Sequence, residues 1–102
     1  MYEMVKDILL NHRGAENSIT AKEISSIMGF EMEDTQHECR QIIKKTMDMF
    51  SLPVISSTRG YYIANTDDEI ETYCKNIKSR IIGMRKRMNN AVKFYRKNKE
   101  KN

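Results

Sequence analysis

The feature that most constrains this chain is a regular spacing of apolar residues in its C-terminal third. From Ile70 to Tyr95 the intervals alternate between four and three residues. The members of this seam are Ile70, Cys74, Ile77, Ile81, Met84, Met88, Ala91 and Tyr95. The period places the seam on one face of a helix, which we predict to run from Asp67 to near Lys97, the seam itself spanning about 40 Å. Such a helix outreaches a small domain, so its own domain or a second chain must cover the apolar face.

Charge is distributed unevenly along the 102 residues. Residues 1–66 hold seven Lys/Arg and nine Asp/Glu, whereas residues 67–102 hold eleven and five. The interval from Lys75 to Lys99 contains ten basic residues and no acidic one. A polyanion would therefore be attracted first by the C-terminal segment. We expect one folded domain at 1–66, a long basic amphipathic helix at 67–98 and a disordered tail at 99–102.

The residue types exclude several classes of function. Apolar runs stay far below the roughly 18 residues of a membrane span, so we expect a soluble, cytoplasmic protein. Cys39 and Cys74 each lie at helical apolar spacing and are predicted to be small core residues. His37 and Cys39 point to different helix faces, so no metal site is expected. We also expect neither a cofactor nor enzymatic activity, because no catalytic arrangement of side chains is evident.

Three helices are predicted before residue 51. The first runs from Tyr2 to about His12, and the second begins after Thr20, whose side chain can form a capping box with Glu23. The third is expected from near Glu33 to about Phe50. Its predicted core face consists of Cys39, Ile42, Ile43, Thr46 and Phe50, and its opposite face of Gln36, His37, Arg40, Lys44 and Asp48. A mostly α domain with tight turns follows.

A β-hairpin is predicted directly after the third helix. Pro53 ends the helix, and the segments VIS and YYI flank Ser57-Thr58-Arg59-Gly60, where Gly60 allows a tight return. Alternation along the second strand predicts that one tyrosine of the pair Tyr61-Tyr62 faces the core and that its neighbour faces out.

The order helix, short extended SIT, helix, turn, helix, hairpin resembles a winged helix-turn-helix. The segment ITAKEISSIMGF is similar to the first helix of that motif and its turn, EDTQHECRQIIKKTM to the recognition helix, and PVISSTRGYYIA to the wing. Together with DDEIETYCKNIKSR, these segments resemble small winged-helix proteins of phages and prophages of low-GC Gram-positive bacteria. The resemblance covers roughly Ser18 to Arg80 and implies a mostly α fold, with a winged head followed by a long C-terminal helix.

The resemblance also implies which residues contact double-stranded DNA. A recognition helix would enter the major groove while the wing contacts the backbone or the minor groove. The implied helix contacts are Thr35, Gln36, His37, Arg40, Gln41 and Lys44, and the wing contacts are Thr58 and Arg59. Arg and Gln suit base edges, whereas Lys44 and Lys45 suit phosphates. The implied function is that of a DNA-binding transcriptional regulator or replication-associated factor.

Acidic residues near the start of the third helix keep other functions open. Glu31, Glu33, Asp34 and Glu38 would oppose docking on phosphates unless they cap the helix or pair with Arg40 and Lys44. An acidic helix serves a protein partner equally well. The alternative is therefore a phage-encoded inhibitor of a host protein in replication or anti-phage defence, as anti-CRISPR proteins are. A third possibility is a structural or adaptor protein whose basic C-terminal helix binds RNA or a nucleoprotein nonspecifically.

We expect a homodimer through the C-terminal helix. The predicted interface residues are Ile77, Ile81, Met84, Met88 and Tyr95. With Ile81 at an a position, Lys78 and Arg85 occupy e positions and Arg80 and Arg87 occupy g positions. Because these flanks are all positive, a bare two-stranded parallel coiled coil is disfavoured, and a dimer that also packs on the heads is expected.

Overall fold

A computed structural model describes residues 1–29 and 36–100. The chain is mostly helical, with one two-stranded antiparallel sheet and a long C-terminal helix, which confirms the fold class at this level. The helices are α1 (Tyr2–Leu10), α2 (Ala21–Met28), α3 (His37–Phe50) and α4 (Asp67–Glu100), and the strands are β1 (Val54–Ser57) and β2 (Gly60–Ile63). A single 3-10 turn, Ala15–Asn17, lies between α1 and α2. The chain divides into two compact units, Met1–Glu69, here called the head, and the segment from Ile70 onward.

One apolar core joins the helices and the hairpin of the head. Each element contributes buried side chains, which are Val5, Leu9, Ile19, Ala21, Ile24, Cys39, Ile43, Val54 and Ile63. Burial of each of the larger ones stabilises the fold by about 1.5–3 kcal/mol relative to exposure. Cys39 is thus a core residue, as predicted, and its thiol donates to the Ala21 carbonyl at 3.4 Å.

The starts and ends of the head helices follow from local hydrogen bonds. The predicted capping box of α2 is present, because Thr20 Oγ1 accepts from the Glu23 amide at 3.1 Å and Glu23 Oε1 accepts from the Thr20 amide at 3.2 Å. Helix α1 ends at Leu10, two residues before the predicted His12. The chain then turns so that the Gly14 amide donates to the Ile63 carbonyl at 2.8 Å.

Helix α3 begins later than the sequence suggested. Gln36 has a left-handed backbone with φ of 55°, so the helix begins at His37, and the expected start at Glu33 lies outside the described residues. Gln36 is held there by the buried Ser25, whose hydroxyl donates to the Gln36 side-chain oxygen at 2.8 Å. Of the predicted core face, Cys39, Ile43 and Thr46 are buried, whereas Ile42 and Phe50 are half-buried.

The hairpin forms as predicted, with Val54 opposite Ile63 and Ser57 opposite Gly60. Ile19, in the segment predicted to be extended, pairs with Tyr61 on the other side of β2, through amide-to-carbonyl bonds of 2.8 and 2.7 Å. Tyr61 and Tyr62 are adjacent residues of one strand, but the prediction that one of them faces out was wrong. Tyr62 is buried and Tyr61 is half-buried against the core.

Helix α4 extends to Glu100. Lys99 and Glu100 are therefore helical rather than disordered, while residues 101–102 lie outside the described part. The prediction that Cys74 is a core residue was wrong, since Cys74 is exposed and α4 contains no buried residue. Among the described helices, none combines the length and the apolar character that crossing a membrane requires.

Glu69, in the first turn of α4, accepts hydrogen bonds from three backbone amides of the head. Its carboxylate accepts from Ala15 and Asn65 at 2.7 Å and from Thr66 at 3.2 Å. The Thr66 hydroxyl accepts from the Glu69 amide at 3.2 Å, which completes a second capping box that the sequence analysis missed. Hydrogen bonds from the Asn65 and Ala15 amides, and to a smaller extent from the Thr66 amide, hold the pKa of Glu69 below its ordinary value. Slight desolvation opposes this shift only in part.

Glu69→Gln should destabilise the head at neutral pH and have little effect in acid. Because the folded-state pKa is lowered, ionised Glu69 stabilises the fold above its ordinary pKa, and this contribution is lost as the pH falls through the folded-state value. Urea unfolding of both proteins across acidic pH measures the difference. Glu71→Gln, at an exposed position of the same helix, is the matched control. A difference between wild type and Glu69→Gln that does not change with pH would contradict this role.

Candidate nucleic-acid interface

The head carries an open groove of about 550 Å³ between the start of α2, the start of α3 and the hairpin. Its described lining consists of Thr20, Ala21, Lys22, Gln36, Arg40, Ser56, Ser57, Thr58, Gly60 and Tyr61. The core contact between Cys39 and Ala21 joins α2 to α3, and the pairing of Ile19 with Tyr61 joins α2's leading segment to the hairpin. The starts of α2 and α3 and the hairpin are therefore held in fixed positions around the groove.

The described lining of the groove is polar and positively charged. Lys22 and Arg40 are exposed cations, and none of the described lining residues is acidic. Glu23, which follows Lys22, accepts hydrogen bonds from the amide and hydroxyl of Thr20 at 3.2 and 3.0 Å. The capping box thus keeps the carboxylate of Glu23, the one nearest to Lys22 in sequence, at the N-terminus of α2. Hydroxyl donors and two cations make this surface suitable for an anionic ligand.

Tyr61 forms part of the groove wall. Burial raises the pKa of its phenol above the ordinary value, and the Arg40 guanidinium partly opposes that shift, as does a hydrogen bond with Ser56. A smaller upward influence comes from Cys39. The phenol therefore remains a neutral hydrogen-bonding group at physiological pH, beside a permanently charged guanidinium.

Three of the residues implied by the resemblance line the groove, namely Gln36, Arg40 and Thr58. Of the other implied residues of α3, His37, Gln41 and Lys44 are exposed to solvent, whereas Lys45 is directed toward α1. His37 and Gln41 are exposed one turn apart, with 3.1 Å between His37 Nε2 and Gln41 Nε2, and Lys44 is exposed one turn after Arg40. Lys45 points elsewhere, since its ammonium lies 5.4 Å from the centre of the Tyr2 ring on α1.

The remaining implied residues lie at the hairpin tip or outside the described part. Arg59 is exposed at the tip, where its amide donates to Ser57 Oγ at 3.2 Å. Thr35 and the acidic residues Glu31, Glu33 and Asp34 lie outside the described residues. Glu38 is exposed in the first turn of α3.

The sequence analysis missed Lys22, Ser56 and Ser57. Lys22 lies two residues after the capping residue Thr20, so the capping box already placed it in the first turn of α2. What the sequence did not reveal is that this turn faces the hairpin, because that depends on the pairing of Ile19 with Tyr61. No family model, no curated protein and no solved structure matches this chain at a significant level.

Proposed function

We propose that the head binds double-stranded DNA as a winged helix-turn-helix, as in a phage-type transcriptional regulator or replication-associated factor. The observation that carries this proposal is the convergence of Lys22, Arg40 and Thr58, from α2, α3 and the hairpin, on one groove whose described lining lacks carboxylates. The element order also fits, because Ile19 provides the short extended segment between the first two helices and pairs with the hairpin.

In this proposal α3 enters the major groove with its exposed face toward the bases. Arg40 and Gln41 are the base-reading candidates, since both side chains can make bidentate contacts with base edges. Arg40 and Gln41 are adjacent exposed residues of α3. The buried face of the same helix is held in the core by Cys39 and Ile43. A rigid backbone beneath the reading side chains reduces the entropy lost on binding.

Phosphate contacts come from the edges of the same surface. Lys22 approaches one strand from the start of α2, Lys44 extends the cationic face of α3, and Arg59 reaches the backbone from the hairpin tip. Thr58 and Ser57 add hydroxyls on the hairpin side of the groove. Lys45 is omitted from this set, because its ammonium already contacts the Tyr2 ring.

Two neighbouring lysines of α3 provide a matched test. Lys44→Ala should weaken binding to every duplex by a similar factor, because it removes one phosphate contact, whereas Lys45→Ala should leave DNA affinity unchanged. Arg40→Ala should reduce the preference for a selected sequence by about 1–3 kcal/mol. Fluorescence anisotropy with a mixed-sequence duplex, and with a duplex selected from a random pool, measures both quantities.

The proposal fails if wild-type protein does not bind duplex DNA at low salt, or if Lys45→Ala weakens binding as much as Lys44→Ala does. Thermal unfolding of each variant separates a loss of binding from a loss of folding. Recovery of one host protein from lysate, unaffected by nuclease, with no duplex binding by the pure protein, would favour the inhibitor function instead.

A further inference from the structure

Helix α4 exposes a continuous apolar stripe to solvent. The exposed fractions are 50% for Ile81, 66% for Met84, 60% for Met88 and 66% for Tyr95. Cys74 is also exposed, and Ile77 is only partly covered. Single exposed apolar side chains are ordinary, but a contiguous stripe along many turns marks an interaction surface.

The residues that flank the stripe determine which partner fits. With Cys74, Ile81, Met88 and Tyr95 at a positions, the d positions are Ile70, Ile77, Met84 and Ala91. In a parallel, in-register pair each g residue faces the e residue of the following heptad on the second helix. The facing pairs are Tyr73 with Lys78, Arg80 with Arg85, Arg87 with Val92, and Phe94 with Lys99.

Only one of these four kinds of pair brings like charges together. Tyr73 with Lys78 and Phe94 with Lys99 each combine an aromatic ring with an ammonium group, which is a favourable pairing. The remaining pair sets the stem of Arg87 beside the apolar Val92. The basic flanks therefore disfavour a parallel coiled coil less than their number suggests, because only Arg80 and Arg85 face each other across the interface.

The apolar surface also widens toward the C-terminal end of the stripe. Val92 at an e position is 45% exposed and Phe94 at a g position is 53% exposed. Both flank Tyr95, so the last turns offer apolar groups on each side of the a and d positions. In a single chain these groups lie in water, whereas a second, aligned helix would cover them.

We propose that a second copy of this chain covers the stripe in a parallel, in-register coiled coil, in which Cys74 faces Cys74 of the second copy. Both heads then precede the coil at the same end, since each head is N-terminal to its own α4. In an antiparallel pair overlapping fully from Ile70 to Tyr95, the two Cys74 residues would lie about 25 Å apart along the axis. The proposal does not depend on DNA binding by the head.

Oxidation of the exposed thiol distinguishes these arrangements. Cys39 is buried, so Cys74 is the thiol accessible to an oxidant. Diamide accepts two electrons and two protons as two thiols join in a disulfide, and the Cα–Cα spacing of facing a positions suits that bond. We expect nearly complete conversion to a covalent dimer, and none for Cys74→Ser. The double variant Cys74→Ser/Lys86→Cys, with its thiol on the outer face of α4, should cross-link much more slowly.

Sedimentation velocity at micromolar concentration tests the stripe itself. Ile81→Glu should weaken the dimer at least roughly a hundredfold, because it places an unpaired charge from each chain in the interface. Lys86→Glu, which adds the same residue on the outer face, should remain dimeric. The proposal is overturned if wild type is monomeric, if Ile81→Glu remains dimeric, or if Cys74 of a wild-type dimer does not cross-link. A wild-type monomer that binds phosphatidylserine vesicles through α4 would identify a lipid surface as the occupant instead.

Discussion

Gly60→Ala should destabilise the head by at least about 3 kcal/mol, lowering its melting temperature by roughly 15 °C. Gly60 has φ of 125°, a conformation that side-chain-bearing residues rarely adopt. A Cβ at this position would overlap the Ile19 carbonyl oxygen and lie 2.7 Å from its carbon and 3.0 Å from the Thr20 nitrogen. These are backbone atoms of the segment that pairs with Tyr61, so relief requires the hairpin to move away from Ile19. Differential scanning calorimetry measures the effect.

Gly29→Ala is the matched control for this prediction. Gly29 ends α2 with φ of 75°, yet no described atom lies within 4 Å of a Cβ built there. It should therefore cost only about 1 kcal/mol, which is the conformational term without the overlap. Equal losses at the two glycines would show that the close approach of Gly60 to Ile19 is unimportant. Gly60→Ala should also weaken duplex binding, because the hairpin supplies Ser57 and Thr58 to the groove.

Local patterns in the sequence predicted the elements of the head well. The Thr20–Glu23 capping box, the Pro53 boundary and the turn at Gly60 each act within a few residues, and all three lie where they were expected. The core face of α3 was equally predictable, because helical periodicity alone determines which residues lie on it. Such signals need no knowledge of what the rest of the chain does.

Errors arose where an element's geometry depends on a distant partner. Gln36 was assigned to the recognition helix, but its bond to Ser25, eleven residues earlier, accompanies a non-helical backbone. The Glu69 carboxylate bonds to the Ala15 amide across 54 residues, and no periodicity reports such a contact. Cys74 illustrates a third limit, since apolar spacing identifies a face that must be covered but not the molecule that covers it.

The candidate interface was predictable only in part for the same reason. The resemblance to a winged helix-turn-helix implied Arg40 and Lys44, and helical periodicity predicted that both lie on the exposed face of α3, where the structure places them. Lys22 was missed because its position in the same groove as Arg40 depends on the pairing of Ile19, just before α2, with Tyr61 of the hairpin. Lys45 differs from Lys44 by one position, yet that rotation around the helix directs it to Tyr2.

Raising the salt concentration from about 50 to about 200 mM should weaken binding of the proposed dimer to one duplex by roughly a thousandfold. Each head contributes three proposed phosphate contacts, from Lys22, Lys44 and Arg59, so two heads release about six counterions. The slope of log affinity against log salt is then about −5, and contacts from the basic α4 would make it steeper. Anisotropy titrations at several salt concentrations give this slope directly.

Arg59→Ala tests both the hairpin contact and the pairing of heads. Arg59 is exposed at a tip whose turn is set by Gly60 and Ser57, so its loss should leave the melting temperature unchanged. If both heads of a dimer engage one duplex, the slope should become shallower by about two, because one phosphate contact disappears from each chain. A change of about one would mean that a single head binds, and no change would remove Arg59 from the interface. Lys6→Ala removes the same charge from a residue whose ammonium lies 4.9 Å from the Phe50 ring centre, away from the groove lining, and should leave the slope as it was.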